Sequence, residues 1–404
     1  MLFGQKPCPD CEPAQVNHFV IRTGAYLGLA LKPALRPIDA LIRALAPRNF
    51  SLFDTAGPLA LRALALARLG RLHSEPTADD SDRTRCLMEE ARRREIEIKH
   101  FKCGALKDLF IARHGDKTRC FDGLPRPVGR EATSLAWMDN KPKMRARFAE
   151  AGIPIARGAS VFTEREALRV FRSLTKPAIV KPHSGSRSRH TTIHIEIESE
   201  LRIAFRKAKQ LSPFALIEEE LVGFVYRGTL IGGKLVAVMR REPPHIVGDG
   251  AQSVRALVET ENKRPERYGK TFHPIAAGAD AAAELVRQGL LWESVPKRGE
   301  LVTLHQKISR GVGASTTDVT REIHPDNRAL LLQIGTVLKD PLVGVDFIIS
   351  DVARSWRVQK QCGVIECNSL PFIDLHHYPL NGPAQNVAGA LWDLIFPASD
   401  KKRT

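Results

Sequence analysis

Two short stretches late in the chain decide how the rest is read: Gly344-Val345-Asp346-Phe347 and Val364-Ile365-Glu366-Cys367-Asn368-Ser369. Apolar β-formers surround the acids in both, which predicts strands over Gly344–Ile349 and Gly363–Glu366. Residues two apart on a strand share a face, so Glu366 and Asn368 converge, and a neighbouring strand brings Asp346 beside them. Carboxylates seldom interrupt apolar strands without a partner. The three oxygen donors are therefore candidate ligands of Mg²⁺, a hard cation that keeps several waters and bridges phosphates. The plainer alternative, two carboxylates hydrogen-bonded at strand ends, stays open on these residues alone. Cys367 between the donors faces the other way, as core.

Working outward, Leu230–Met239 reads as strand broken by a hairpin turn at Gly232-Gly233, and Phe214–Ile217 as another strand. Ala178–Lys181 is a short buried strand opening onto the loop Ser184-Gly185-Ser186-Arg187-Ser188-Arg189, and Thr191–Ile197 alternates in the period-two manner. Met138–Ala151 reads as a helix entered through Asp139 and stopped by Gly152-Ile153-Pro154, and Thr163–Ser173 as another. Helices and hairpins about a mainly antiparallel sheet predict an α+β domain, not a doubly wound parallel sheet.

The first 130 residues have a different character. Phe19–Leu45 is apolar but holds Arg22, Lys32, Arg36 and Arg43, with Pro33 and Pro37. It lacks the continuous core of a signal peptide or membrane span, and is read as helices packed on the next domain in preference to an amphipathic membrane anchor. Pro58–Leu72 reads as a short helix ending near Gly70, His73–Arg83 as a polar linker, and Cys86–His100 as a densely charged, solvated helix. Residues 1–130 are thus expected to form a mainly helical region, followed by a domain over 131–396 and a tail over 397–404.

Composition narrows the function. The chain has 404 residues, 43% of them apolar, enough for one large or two to three ordinary domains. Lys and Arg outnumber Asp and Glu by 61 to 45, a formal charge of +16 that attracts nucleic acid, an acidic membrane or a polyanion such as ATP. Basic residues are spread along the chain without zinc-finger spacing, a basic zipper or paired aromatic RNA-binding strands, so no nucleic acid partner is expected. Seven cysteines at irregular spacing suit a reducing cytoplasm better than a disulfide framework. Cys8 and Cys11 form half of a zinc site with His18 nearby; unliganded thiols are the plainer reading.

Several ordered blocks then resemble a known family. They are Asn140-Lys141 with Ala151-Gly152-Ile153-Pro154, then Lys181-Pro182, then Ile217-Glu218 through Gly223 and Tyr226-Arg227. Gly232-Gly233-Lys234 through Arg240, Gly248-Asp249-Gly250, and Leu301–His324 with Asp318-Val319-Thr320 and His324-Pro325 follow. From about Thr133 to about Phe396 the chain resembles the ATP-grasp ligases, among them the ATP-grasp domain of cyanophycin synthetases and related peptide ligases. The resemblance implies two α+β subdomains enclosing a nucleotide site. It implies an ATP-dependent carboxylate–amine ligase working through an acyl-phosphate, with ATP and Mg²⁺ (Mn²⁺ as the alternative metal).

By position, Lys141 and Lys181 would touch the phosphates with the loop Ser184, Gly185, Ser186 and Arg187, while Ile217, Glu218 and Glu219 would flank the adenine. Arg240 would neutralise the transferring phosphoryl group. Arg310 and His376 complete the implied catalytic set, and Asp346, Glu366 and Asn368 would hold the metal. The substrates implied are a small-molecule or peptide carboxylate and an amine or amino acid. Homo-oligomerisation stays open.

Two departures stand out. The loop His183–His190 has only Gly185 where relatives carry more glycines, with Arg187 and Arg189 in their place. Val225 stands where relatives usually have a ribose-binding carboxylate, leaving Glu219 or Glu220 to substitute. A C-terminal ligase domain with its own phosphate loop, present in cyanophycin synthetases, does not follow, so polymer synthesis is not expected. The competing readings are a nucleotide-binding module with little turnover and a ligase tailoring a carrier- or peptide-bound substrate.

Overall fold

Alternating burial and tight hairpins build three sheets and a ribbon in the computed structural model, which describes residues 8, 11, 15–27, 52–104, 106–127, 137–138, 141–183, 189–268 and 271–397. The first sheet runs β1 (Arg71–His73), β2 (Glu97–Cys103), β3 (Leu106–His114), β4 (Lys117–Asp122), antiparallel throughout. It adds a four-stranded sheet to an N-terminal region expected to be mainly helical. The charged stretch taken as one helix to His100 ends at Arg93, and Glu95 at φ 57° turns the chain into β2. Ile96, Ile98 and His100 then point alternately into a core, while the helix Asp82–Arg93 buries Cys86, Leu87, Met88 and Ala91. Likewise the helix placed over Pro58–Leu72 spans Leu52–Leu66, and Arg71–His73, where that stretch is expected to pass into a linker at His73, is a strand of the sheet. The described part of the Phe19–Leu45 stretch, 19–27, is helical with Phe19, Val20, Tyr26 and Leu27 exposed; residues 28–45 lie outside the described residues.

The second sheet contains β5 (Gly158–Val161), β6 (Ala178–Pro182), β7 (Thr192–Ile195) and β8 (Ala215–Glu219) in the order β5-β8-β6-β7. Helices Glu164–Ser173 and Glu198–Ala208 pack on it around Phe171, Leu201 and Phe205. The first begins in a reciprocal cap between Thr163 and Glu166.

The chain then enters the largest sheet through a hairpin, β9 (Phe224–Ile231) and β10 (Lys234–Glu242), turning at Gly232-Gly233 as the sequence predicts. A two-stranded ribbon, β11 (His245–Val247) and β12 (Leu301–Thr303), stands apart from it. With β13 (Ser315–Asp318), β14 (Leu342–Ile349) and β15 (Gly363–Asn368) the sheet order is β13-β10-β9-β14-β15, again antiparallel. On one face Tyr226, Val238, Val345 and Phe347 pack with residues of helices Pro325–Leu338 and Lys141–Glu150. On the other, Ile231, Ala237 and Leu342 share a core with the first sheet, helix Asp82–Arg93 and helix Val387–Ile395. Trp392 is wholly buried there and donates to the Leu87 carbonyl at 3.1 Å. The N-terminal region is therefore packed into the same body as the sheet that carries Asp346. No helix among the described residues is long and apolar enough to cross a membrane.

Candidate functional site

β14 pairs with both β9 and β15, and the registers bring three polar residues level: Arg227 opposite Asp346, and Asp346 opposite Glu366. Directly opposed residues share a face, so the convergence expected of Asp346, Glu366 and Asn368 is met by the backbone itself. Asp346 is buried and held bidentately by Arg227, whose Nη2 donates to Oδ2 at 2.6 Å and whose Nε donates to Oδ1. Arg241 lies 3.5 Å from the same carboxylate. Burial alone would raise Asp346; Arg227, with Arg241, outweighs it and holds the carboxyl below its ordinary value. Gly344 makes this geometry fit: a Cβ there would lie 3.2 Å from Arg227 Cδ and Nη1 and 2.9 Å from Pro371. Glu366 and Asn368, both half-buried, touch through the Asn368 amide, which donates to Oε1 at 3.3 Å.

The donor chemistry fits a hard cation. Each carboxylate oxygen offers two lone pairs, Arg227 takes one on each Asp346 oxygen, and Glu366 accepts the Asn368 amide while lying against the Asp346 carboxylate and in the field of Arg227 and Arg241. Arg227 Nη1 is buried without a hydrogen-bond partner, a donor suited to an anion beside the carboxylates.

A second cluster lies on the β5-β8-β6 edge. Glu218 is buried, receives Arg145 Nη1 at 2.7 Å, and pairs on its other oxygen with Lys181. Gly158 permits the crowding, since a Cβ there would stand 2.1 Å from the Ile217 carbonyl. Lys181 is thus directed at Glu218 in this structure. Ile217, in the middle strand, faces Ala159 and Val180. Glu219 accepts from the Thr175 amide at 2.9 Å and pairs with Arg157, and Glu220 pairs with His194 at 2.9 Å, so both carboxylates weighed against Val225 are engaged. Lys141 opens its helix, half-buried. Ser184, Gly185, Ser186 and Arg187 lie outside the described residues.

Three expected catalytic residues sit differently from one another. Arg240 and Arg241 are consecutive on β10 and so project to opposite faces. It is Arg241 that shares the Asp346 face; Arg240 pairs with Glu242 at 3.0 Å and lies 5.0 Å from the Phe224 ring centre. Arg310 donates to Asp374 Oδ2 at 2.7 Å and approaches Asp82 of the N-terminal helix at 3.8 Å. His376 is wholly buried and shares a 2.8 Å hydrogen bond with Thr229 Oγ1, an interior position and not a substrate-facing one.

Burial, with Arg227 and His377 nearby, pushes the His376 imidazole from 6.5 down to about 3. Between those values the unfolded chain binds the extra proton. The contribution of the neutral ring is therefore complete above the unfolded value and is lost as pH falls, at about 1.4 kcal/mol per pH unit. His376→Gln should flatten the acid side of the stability–pH curve relative to the parent in urea melts taken between neutral pH and pH near 5. Parallel curves would show that His376 protonates freely in the folded chain.

No family model matches the chain. Among solved structures, a bifunctional glutathione synthetase from Pasteurella multocida superposes with a TM-score of 0.59 at 24% identity, over 78% of this chain and 44% of that one. The fold is ATP-grasp. The ATP-grasp chain is 30% identical over 270 residues to a cyanophycin synthetase of Nostoc sp., covering 65% of this chain and 30% of that protein. It is 29% identical over 269 residues to the glutathione biosynthesis bifunctional protein GshAB of Clostridium perfringens, covering 64% and 34%. It spans about a third of the length of these curated relatives.

Within the ATP-grasp sheet, Arg227 and Arg241 are the polar residues that reading the sequence missed. Arg227 was in view inside the Tyr226-Arg227 block. Only the register of β9 against β14 shows that it is the partner of Asp346.

Proposed function

We propose that this chain is an ATP-dependent carboxylate–amine ligase, forming an amide or peptide bond through an acyl-phosphate and releasing ADP and phosphate. The observation that carries the reading is the row Arg227–Asp346–Glu366 across three adjacent strands, with Asn368 and Arg241 on its flanks. The boundaries 131–396 for the ATP-grasp portion belong to this proposal, as do cytoplasmic action and the two substrate classes.

In this reading Glu366 and Asn368 would hold Mg²⁺, with Asp346 as the third oxygen donor. The metal, when bound, offsets charge on the β and γ phosphates. Arg241, on the Asp346 face, takes the phosphoryl-neutralising role first given to Arg240. Lys181 reaches the phosphates by exchanging Glu218 for the nucleotide, and Arg145 keeps Glu218 paired when it does. Lys141 adds a second mobile charge to the phosphates, and the backbone following Glu219 borders the base. The substrate carboxylate attacks the γ-phosphorus, ADP leaves, and the amine displaces phosphate from the acyl-phosphate. No protein nucleophile takes part. Arg310, tied to Asp374, is assigned to the substrate carboxylate in this reading.

The deciding measurement is ADP release while acids and amines are varied independently. Release that requires one member of each class is the expected result. ATP binding without release for any acid–amine pair would favour a nucleotide-binding module and overturn the ligase.

A further inference from the structure

Outside the sheet with Asp346, the Cys8-x-x-Cys11 turn lies against His190, the residue that follows the arginine-bearing loop. Cys11 Sγ is 3.2 Å from His18 Nε2 and 3.3 Å from His190 Nε2, and Cys8 Sγ is 3.6 Å from His190 Nε2. All four atoms lie within 4.8 Å of one another. Around zinc with Zn–S of about 2.3 Å and Zn–N of about 2.0–2.1 Å, tetrahedral ligands stand about 3.3–3.8 Å apart. The three sulfur–nitrogen separations are close to those edges, and the other pairs fall within 4.8 Å.

The surroundings are those of a built site. His190 Nδ1 lies 2.9 Å from the Lys207 carbonyl, an outer contact that fixes the tautomer with Nε2 bare and aimed at the sulfurs. Cys11 is fully buried and His190 almost so. The Cys11 amide closes the turn on the Cys8 carbonyl at 3.0 Å, and Gln15 brackets the Cys8 backbone with two bonds of 2.9 Å. His190 adopts φ 52°, a left-handed conformation that non-glycine residues take up rarely, and here it directs the ring at the turn. Two thiolates and two neutral imidazoles cancel the charge of one divalent ion, which suits a buried position.

We propose that Cys8, Cys11, His18 and His190 form a structural zinc site that clips the N-terminal segment onto the subdomain of β5–β8. With four protein ligands the site is closed, so its role is architectural and independent of the ligase reading. The clip joins residues 179 positions apart, Cys11 to His190. It would anchor the chain where the predicted phosphate loop ends.

The test uses the full chain, purified under reducing conditions, loaded with zinc and desalted. One zinc per chain is expected, with loss of that zinc in Cys8→Ser/Cys11→Ser and in His190→Asn, and retention in Cys103→Ser. Cobalt(II) in the parent should show intense tetrahedral ligand-field bands with thiolate charge transfer, a readout that remains decisive if the double variant folds poorly. A parent chain that keeps no zinc, a Cys8–Cys11 disulfide that persists under reduction and excludes cobalt, or a double variant with undiminished zinc would each overturn the site.

Discussion

Glu366→Ala is expected to lower ADP release by about 10³-fold at saturating ATP while the unfolding midpoint stays where it is. The two halves of that expectation rest on different features of one side chain. Glu366 is half-buried and accepts a hydrogen bond from the Asn368 amide, and although it acts electrostatically on Arg227 and Arg241, both keep their direct partner Asp346 when it is removed. Its carboxylate is the donor with the most lone-pair capacity left for a metal that contributes several kcal/mol to the transition state, and every 1.36 kcal/mol is about tenfold in rate. Glu366→Gln should fall nearly as far, because the amide keeps the shape and discards the charge. A coupled ADP assay across a Mg²⁺ titration, paired with urea melts, reads both. Undiminished release in either variant takes Glu366 out of the site.

How far the sequence could be read depends on whether a feature is local. The alternation that puts Glu366 and Asn368 on one face lies within three residues, and the Gly232-Gly233 hairpin announces itself by composition. The partner of Asp346 does not. Arg227 lies 119 positions away, and nothing in its neighbourhood distinguishes it from Arg240 or Arg241 until strand register is known. Arg240 and Arg241 differ by one residue, and that step inverts the face, so only register separates the one that reaches Asp346.

The first sheet was hidden for another reason. The run Arg92 to Lys99 is so charged that the alternation of Ile96, Ile98 and His100 beneath it reads as a solvated helix, although Glu90 in that helix is itself buried against Arg94 and Asn386. The boundary at residue 130 drawn from sequence character is crossed by a core in which Leu87 and Trp392 meet, 305 positions apart. His190 is equally remote from Cys8 and Cys11, so sequence reading reached the turn and His18 and stopped one ligand short.

The largest effect on stability is expected at Asp346. Asp346→Ala should destabilise the fold by about 3–5 kcal/mol, because it leaves the fully buried Arg227 without its counter-charge. Arg241, 3.5 Å from the same carboxylate, loses a partner too, which adds like-charge repulsion to the desolvation already incurred. Because the acid is held below its ordinary value in the folded chain, its contribution is complete above the unfolded pKa of 3.8 and disappears as pH falls through the folded one. The cost of the substitution should accordingly shrink in acid. Replacing both partners, Asp346→Leu with Arg227→Met, removes the stranded charge and should recover much of the loss, since apolar pairs often substitute for buried ion pairs at little cost. Urea midpoints of the two chains at neutral pH decide the matter. If the single variant melts like the parent, Asp346 is not a buried charge, and the row of side chains that joins Arg227 to Glu366 loses its centre.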